Sequence, residues 1–176
     1  MIRELSVDFE KMKGFSPSFL RILHLAFSHS GYRAVFLYRI GHWLRRKNMR
    51  LMAIFCEKIM HHLCNCWIST NAVIGQGFVI RHVGTIVIGG RVTAGENLDI
   101  RQGITLGGNM GKTSLDGRSQ PKLGNNVLIG AGAKILGPVE IGDNCLIGAN
   151  AVVTKDFECD SIIGGIPAIL IRKKLN

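Results

Sequence analysis

Six histidines mark chemistry that this 176-residue chain could perform, and their placement is uneven. His24, His29, His42, His61 and His62 fall in the first 66 residues, and His82 stands alone after them. An imidazole titrates near neutral pH and can act as a general base, although a lone histidine is more often structural. His61-His62-x-Cys64-x-Cys66 gathers metal-ligand types at close spacing. Adjacent helical histidines point to different faces, however, and no second ligand pair occurs, so no metal site is expected. Thr105-Leu-Gly-Gly could present backbone N–H groups to a developing oxyanion; the plainer reading is that Gly107 and Gly108 let the chain leave a regular element. Arg45, Arg46, Lys47 and Arg50 crowd one stretch with no aromatic platform interleaved. That argues against nucleic acid and suits a solvated helix face or peripheral contact with acidic membrane lipids.

These groups must be positioned by one domain with a real core, or one domain and a small appendage, because the length admits no second enzymatic unit. Hydrophobic residues at 47% and charged ones at 19% exclude a collagen, a disordered tail and a disulfide mini-protein. With 22 Gly, 4 Pro and 7% aromatics, the chain turns often and packs small aliphatic side chains. The formal charge is +10, and it is lopsided: residues 1–66 hold 11 Lys or Arg against 4 Asp or Glu, and the remainder 11 against 8. Five cysteines, an odd number, without an apolar leader, suggest a reducing cytoplasm. The longest uncharged run, Ile59 to Ile80, carries too many polar residues for a membrane span.

Residues 1–66 read as helical. Ser16-Pro17 offers a cap and first-turn proline; Tyr32, Val35, Phe36, Ile40, Trp43 and Leu44 recur at helical spacing; a further helix is expected from Met49 to about Cys64. From residue 67 to 176 the pattern changes. An aliphatic residue returns every sixth position at Ile68, Ile74, Ile80, Ile86, Val92, Leu98 and Ile104, and again at Leu123, Ile129, Ile135, Ile141, Ile147 and Val153. A period of six fits a solenoid of short parallel strands, each flat side pointing one aliphatic inward, with roughly five triangular coils in all. Between the two runs, Asp116 would be a buried charge if the coil continued, so 110–121 is expected to be extruded as a loop.

The hexads, Ile104-Thr-Leu-Gly-Gly, Ile129-Gly-Ala-Gly-Ala-Lys-Ile-Leu-Gly, the closing Gly164-Gly-Ile-Pro-Ala, and Gly31-Tyr-Arg-Ala with Tyr38-Arg-Ile-Gly-His-Trp in the helices resemble the hexapeptide-repeat acyltransferases, and among them the serine acetyltransferases. The likeness covers about residues 31–172. It implies a mainly β fold, a left-handed parallel β-helix behind an N-terminal helical segment and ending in a C-terminal cap. It also implies direct acetyl transfer from acetyl-CoA to a hydroxyl, with His82 as the catalytic general base and no metal. By the same resemblance the cofactor arm lies along Thr105, Gly107, Gly108, Ala131 and Gly132 between neighbouring solenoids of a homotrimer, with Lys134, Pro167 and Ala168 towards the CoA end.

Three acceptor-side positions depart from that family. It has a carboxylate directly before the catalytic histidine, and Arg81 stands there. A second aspartate some fifteen residues upstream aligns with Trp67. Its Arg-His-Pro-Lys is replaced by Ser119-Gln120-Pro121-Lys122, leaving Gln120, with Arg118 beside it, to meet the acceptor. Losing both carboxylates removes the partner of a serine ammonium. Arg81, Trp67, Arg118 and Gln120 suit instead a sugar hydroxyl of a surface polysaccharide or its precursor, with serine O-acetylation of cysteine biosynthesis as the alternative and a non-catalytic scaffold as the second. The short helical segment favours a single trimer over a hexamer.

Overall fold

The computed structural model describes residues 1–174. Four helices come first: α1 (Ile2–Lys13), α2 (Phe19–Ser28), α3 (Ser30–Arg46) and α4 (Arg50–Cys64). Their ends follow from local chemistry. α1 stops at Gly14 (φ 82°) and α4 at Asn65 (φ 48°), both in the left-handed conformation, with the Gly14 N–H donating to Glu10. The start of α2 differs from the expectation at Ser16-Pro17. Pro17 stays outside the helix and Ser18, in extended conformation, is the cap residue. α3 begins at His29, whose Nδ1 accepts from the Tyr32 N–H at 3.2 Å.

The rest is a left-handed parallel β-helix of about five turns. Its three sides are a five-stranded sheet of β1 (Cys66–Ile68), β4 (Ile86–Ile88), β7 (Thr105–Gly107), β10 (Lys134–Leu136) and β13 (Val152–Val153); a four-stranded sheet of β2 (Val73–Ile74), β5 (Thr93–Ala94), β8 (Lys122–Leu123) and β11 (Glu140–Ile141); and a six-stranded sheet of β3 (Val79–Ile80), β6 (Asp99–Ile100), β9 (Leu128–Ile129), β12 (Leu146–Ile147), β14 (Ser161–Gly164) and β15 (Ile169–Lys173). Only β15 runs antiparallel, folding back on β14 as the closing cap.

The strand registers correct the reading of the hexads. Ile68 lies opposite Ile88 and Ile80 opposite Ile100, so the first coil is 20 residues deep and not 18. Two extra residues therefore lie between Ile80 and Ile88, in the Arg81–Thr85 segment, and from Ile86 to Ile104 the six-residue count follows a second buried position two residues before the inward one. A further excess sits higher up. Thr105 pairs with Lys134, 29 positions on, so eleven residues beyond a plain coil leave between β7 and β8. Asp116 is exposed there, paired with Arg118 at 2.8 Å.

The extra residues use two of the three corners. The third, between the four- and six-stranded sheets, keeps its six-residue step throughout and stacks Asn97, Asn126, Asn144 and Asp160, all at positive φ. Each asparagine Nδ2 donates to the side chain above it at 3.0 Å, and Asp160 ends the ladder.

The helices do not stand apart from the coils. Ala34, Val35, Tyr38 and Met60 join the same core as Ile68 and Ile80. Arg39 of α3 is 2% exposed and donates to both carboxylate oxygens of Asp8 of α1, at 2.8 and 3.0 Å, and to the carbonyls of Ile74 and Gly75 at 2.6 and 2.7 Å. Asp8, 0% exposed, in turn accepts from the Phe78 N–H at 2.8 Å. Beside this anchor, Gly31 brings α3 so close to the coil that a Cβ would stand 2.0 Å from the Ile80 carbonyl oxygen. Because Ile80 immediately precedes Arg81 and His82, Gly31→Ala should push the helix away from this corner. A loss of about 1–3 kcal/mol in urea unfolding is expected, and an unchanged midpoint would contradict the contact.

Candidate active site

The extra residues after Ile80 form a bulge where the six-stranded sheet gives way to the five-stranded one; Val83 packs back on the core and His82 is exposed on it. The corner itself is built from small groups. Gly103 N–H donates to the Gly84 carbonyl at 2.8 Å, Gly132 N–H to Gln102 at 2.9 Å, and Asn150 N–H to Ala131 at 2.8 Å. Gly132 has φ +74°, and a Cβ there would run into the Asn150 amide, so glycine is required at this level of the stack, which Asn150 (φ 56°) then continues. Its N–H is engaged within the coil, which leaves Ala131 and Gly132 to contribute shape to a ligand groove and not that donor.

Beside the bulge, Arg81 does not project its charge freely. Its Nε and Nη2 donate to Asp99 Oδ2 at 2.9 and 2.8 Å, and Arg101 Nη1 reaches Asp99 Oδ1 at 3.3 Å. One carboxylate thus joins two guanidiniums and leaves one positive charge over. Among the described residues the His82 ring has no hydrogen-bond partner within the chain, whereas His29, at the start of α3, lies close by. Burial first, and then the charges of Lys13, His82 and Arg81, hold His29 below its ordinary value.

On the outer face of the five-stranded sheet, Trp67, Val87, Thr105, Lys134 and Val152 form one row across the strands. Thr105 is half-buried, and the Lys134 ammonium donates to the Gly103 carbonyl, at the His82 corner. Gly107 pairs with Leu136, and Gly108 starts the extruded loop. Gly107 and Gly108 add no side chain at the C-terminal end of β7. Trp67 is half-exposed, but Lys58 Nζ stands 5.5 Å from its ring centroid and His61 meets its edge at 5.8 Å, so part of the indole is already covered. At the far end of the coil Pro167 is exposed, while Ala168 is buried with its N–H donated to Val152 at 2.9 Å.

Two expected acceptor residues are not brought to His82. Gln120 Oε1 accepts from the Arg91 N–H at 2.8 Å, beyond the C-terminal end of β4, whereas His82 precedes its N-terminal end. Arg118 is held by Asp116 and by Glu140 at 3.6 Å, at the same far edge. In a single chain, a strand's length therefore separates them from the histidine. His61 and His62 are exposed while Cys64 and Cys66 are buried, and among the described residues no group of three or more metal-ligating side chains occurs. Burial pushes the Cys64 thiol up to about 11. The sequence reading missed His29 and Asp99. A signal for the first existed, since His29 directly precedes the Ser30-Gly31-Tyr32 start of α3.

The sequence between Gln120 and Lys155 matches the model of the bacterial transferase hexapeptide family (six repeats). Over 171 residues the chain is 34% identical to the serine acetyltransferase of Mycobacterium tuberculosis, covering 97% of this chain and 73% of that protein. The chain belongs to the serine acetyltransferase family. The serine acetyltransferase of Brucella abortus solved with coenzyme A superposes with a TM-score of 0.85 at 31% identity, covering 98% of this chain and 68% of that one. The Neisseria gonorrhoeae serine acetyltransferase solved with serine gives 0.84 at 29%, covering 97% and 69%. As a member of the serine acetyltransferase family, the chain is an acyltransferase that uses acetyl-CoA. No helix among the described residues is long and apolar enough to cross a membrane.

Proposed function

We propose that this acyltransferase is an O-acetyltransferase in which His82 is the general base. The observation that carries the reading is the eight-residue step from Ile80 to Ile88, which lifts His82 out of the coil beside a stack of small residues. His82 takes the proton of the acceptor hydroxyl as its oxygen attacks the thioester carbonyl; the carbon–sulfur bond then breaks and the proton passes to the departing thiolate. Thr105, Gly107 and Gly108 line the track for the donor. The assembly that fits is a trimer: His82 and Gln120 lie at opposite edges of the five-stranded sheet, so a site using both takes them from two copies.

For the acceptor, the comparisons support L-serine, the substrate in the relatives' names, and none of the relatives above names a sugar. The preference for a sugar hydroxyl drawn from the sequence therefore gains nothing from them. A local observation keeps it as a second reading: Asp99, the carboxylate beside Arg81, is already shared by two guanidiniums and offers little to a serine ammonium. Thiol release from acetyl-CoA with L-serine, hexoses, N-acetylhexosamines and acidic oligosaccharides separates the two. The serine reading expects L-serine to exceed every sugar by at least about tenfold in kcat/KM, a discrimination of the size that a missing hydrogen-bonding or ionic partner readily produces. The reverse order supports the sugar.

A further inference from the structure

The corner that carries His82 also carries two guanidiniums at one position of consecutive coils. Ile80 lies opposite Ile100, so the residues that follow them, Arg81 and Arg101, are neighbours, and the Arg81 N–H donates to the Ile100 carbonyl at 3.1 Å. Asp99 splints the pair, with Arg81 Nε and Nη2 on its Oδ2 at 2.9 and 2.8 Å and Arg101 Nη1 on its Oδ1 at 3.3 Å. A guanidinium carries five N–H donors, so most of the ten remain after these three bonds. Among the described residues no other group takes them, and the two side chains are 37% and 32% exposed.

The coils above leave the column open. Ile129 lies opposite Ile100 and Ile147 opposite Ile129, which puts Gly130 and Gly148, without side chains, over Arg101. Asp99 itself sits in an apolar row between Val79 and Leu128. A third cation, Lys134, donates to the Gly103 carbonyl at the same corner. Guanidiniums held at fixed angles with donors to spare match the two oxygens of a carboxylate. Two further facts limit the molecule that owns this carboxylate. Arg81 directly precedes His82, so their Cα atoms stand about 3.8 Å apart, and an anion at one and a hydroxyl at the other belong to a short molecule. Asp99 has both oxygens engaged, and Asp8, which reaches Phe78 three positions before Arg81, is committed to Arg39; an ammonium finds little here.

We propose that Arg81 and Arg101 bind the carboxylate of the acceptor, which is recognised as a short hydroxy acid whose amino group adds little. L-serine falls in this class, with its hydroxyl-bearing carbon two bonds from its carboxyl carbon. The proposal rests on the reading of His82 as the base that takes the hydroxyl proton, so binding is measured apart from turnover. 3-Hydroxypropionate is L-serine without the amino group, and ethanolamine is L-serine without the carboxylate. Each is titrated into the chain with coenzyme A present, followed by ligand-observed nuclear magnetic resonance, and each is then offered with acetyl-CoA. 3-Hydroxypropionate should bind about tenfold or more tighter than ethanolamine, and within about fivefold of L-serine. Arg101→Gln, which leaves the Arg81–Asp99 pair in place, should remove the carboxylate advantage with the circular dichroism unchanged. Ethanolamine binding as tightly as 3-hydroxypropionate, binding of neither, or a preference that survives Arg101→Gln would overturn it. A carboxylate preference that Arg101→Gln abolishes, in a chain that transfers acetyl to neither compound, keeps the site and counts against the acetyl-transfer reading alone.

Discussion

His82→Ala lowers acetyl transfer by about 10²–10⁴-fold, the span typical of a lost general base, while CoA affinity stays within about twofold. The asymmetry follows from position. His82 is exposed on a bulge and makes no hydrogen bond among the described residues, so its loss removes no packing. Surface substitutions of this kind change stability by no more than about 0.5 kcal/mol. The proposed donor track runs instead along Thr105, Gly107 and Gly108, which the substitution leaves untouched. Thiol release and calorimetric titration with CoA measure the two halves separately. A rate within about threefold of the parent would remove His82 from the chemistry, whatever its place in the fold.

Asp8→Ala is the corresponding expectation for stability, and its cost is about 3–5 kcal/mol, because it strands the buried Arg39 charge and the Phe78 N–H together. Domains of ordinary stability hold about 5–15 kcal/mol in reserve, so this one change consumes a large share. The effect is also directional. Arg39 still donates to Ile74 and Gly75, so the first coil keeps that contact, while α1 loses its charged tie to α3 and the coil and is held by the Tyr32 hydroxyl on the Leu5 carbonyl and by Phe9 against Tyr32. Urea unfolding of Asp8→Ala should therefore show a lowered midpoint, and early proteolysis should fall near α1. Combining it with Arg39→Met should cost less than the two single losses added, since the second change removes the orphaned charge. Strict additivity would mean that the pair is not coupled.

Much of the solenoid was visible in the sequence because one inward aliphatic per side is a steric requirement. The slip after Ile80 was not, and the reason is geometric. Each side buries a second residue two positions before the inward one, as Ile86 does before Ile88 and Val92 before Ala94. Counting by six therefore passes from one buried series to the other without meeting a polar residue. The asparagine ladder did leave a trace in Gly95-Glu-Asn, Gly124-Asn-Asn and Gly142-Asp-Asn, a corner signature hidden among ordinary turn residues. Asp8 and Arg39 left none, since a charged pair 31 positions apart has no spacing rule. The candidate site was legible only at His82, through its motif. That Arg81 is taken up by Asp99, and that Gln120 and Arg118 lie beyond the opposite edge of the five-stranded sheet, depends on strand register, which no local pattern reports.

The three corners also divide the protein's capacity for change. Where Asn97, Asn126, Asn144 and Asp160 stack, one inserted residue would break every amide contact above and below it, and the chain carries no extra length there. The other two corners, flanking the five-stranded sheet, have absorbed two and eleven additional residues without disturbing the coils above. A lineage can thus rewrite the segments at these two corners, in length as well as in composition, while the third edge acts as a fixed spine. On the proposed reading, in which those segments meet the acceptor, new acceptor preferences arise by editing the two variable edges on an unaltered frame.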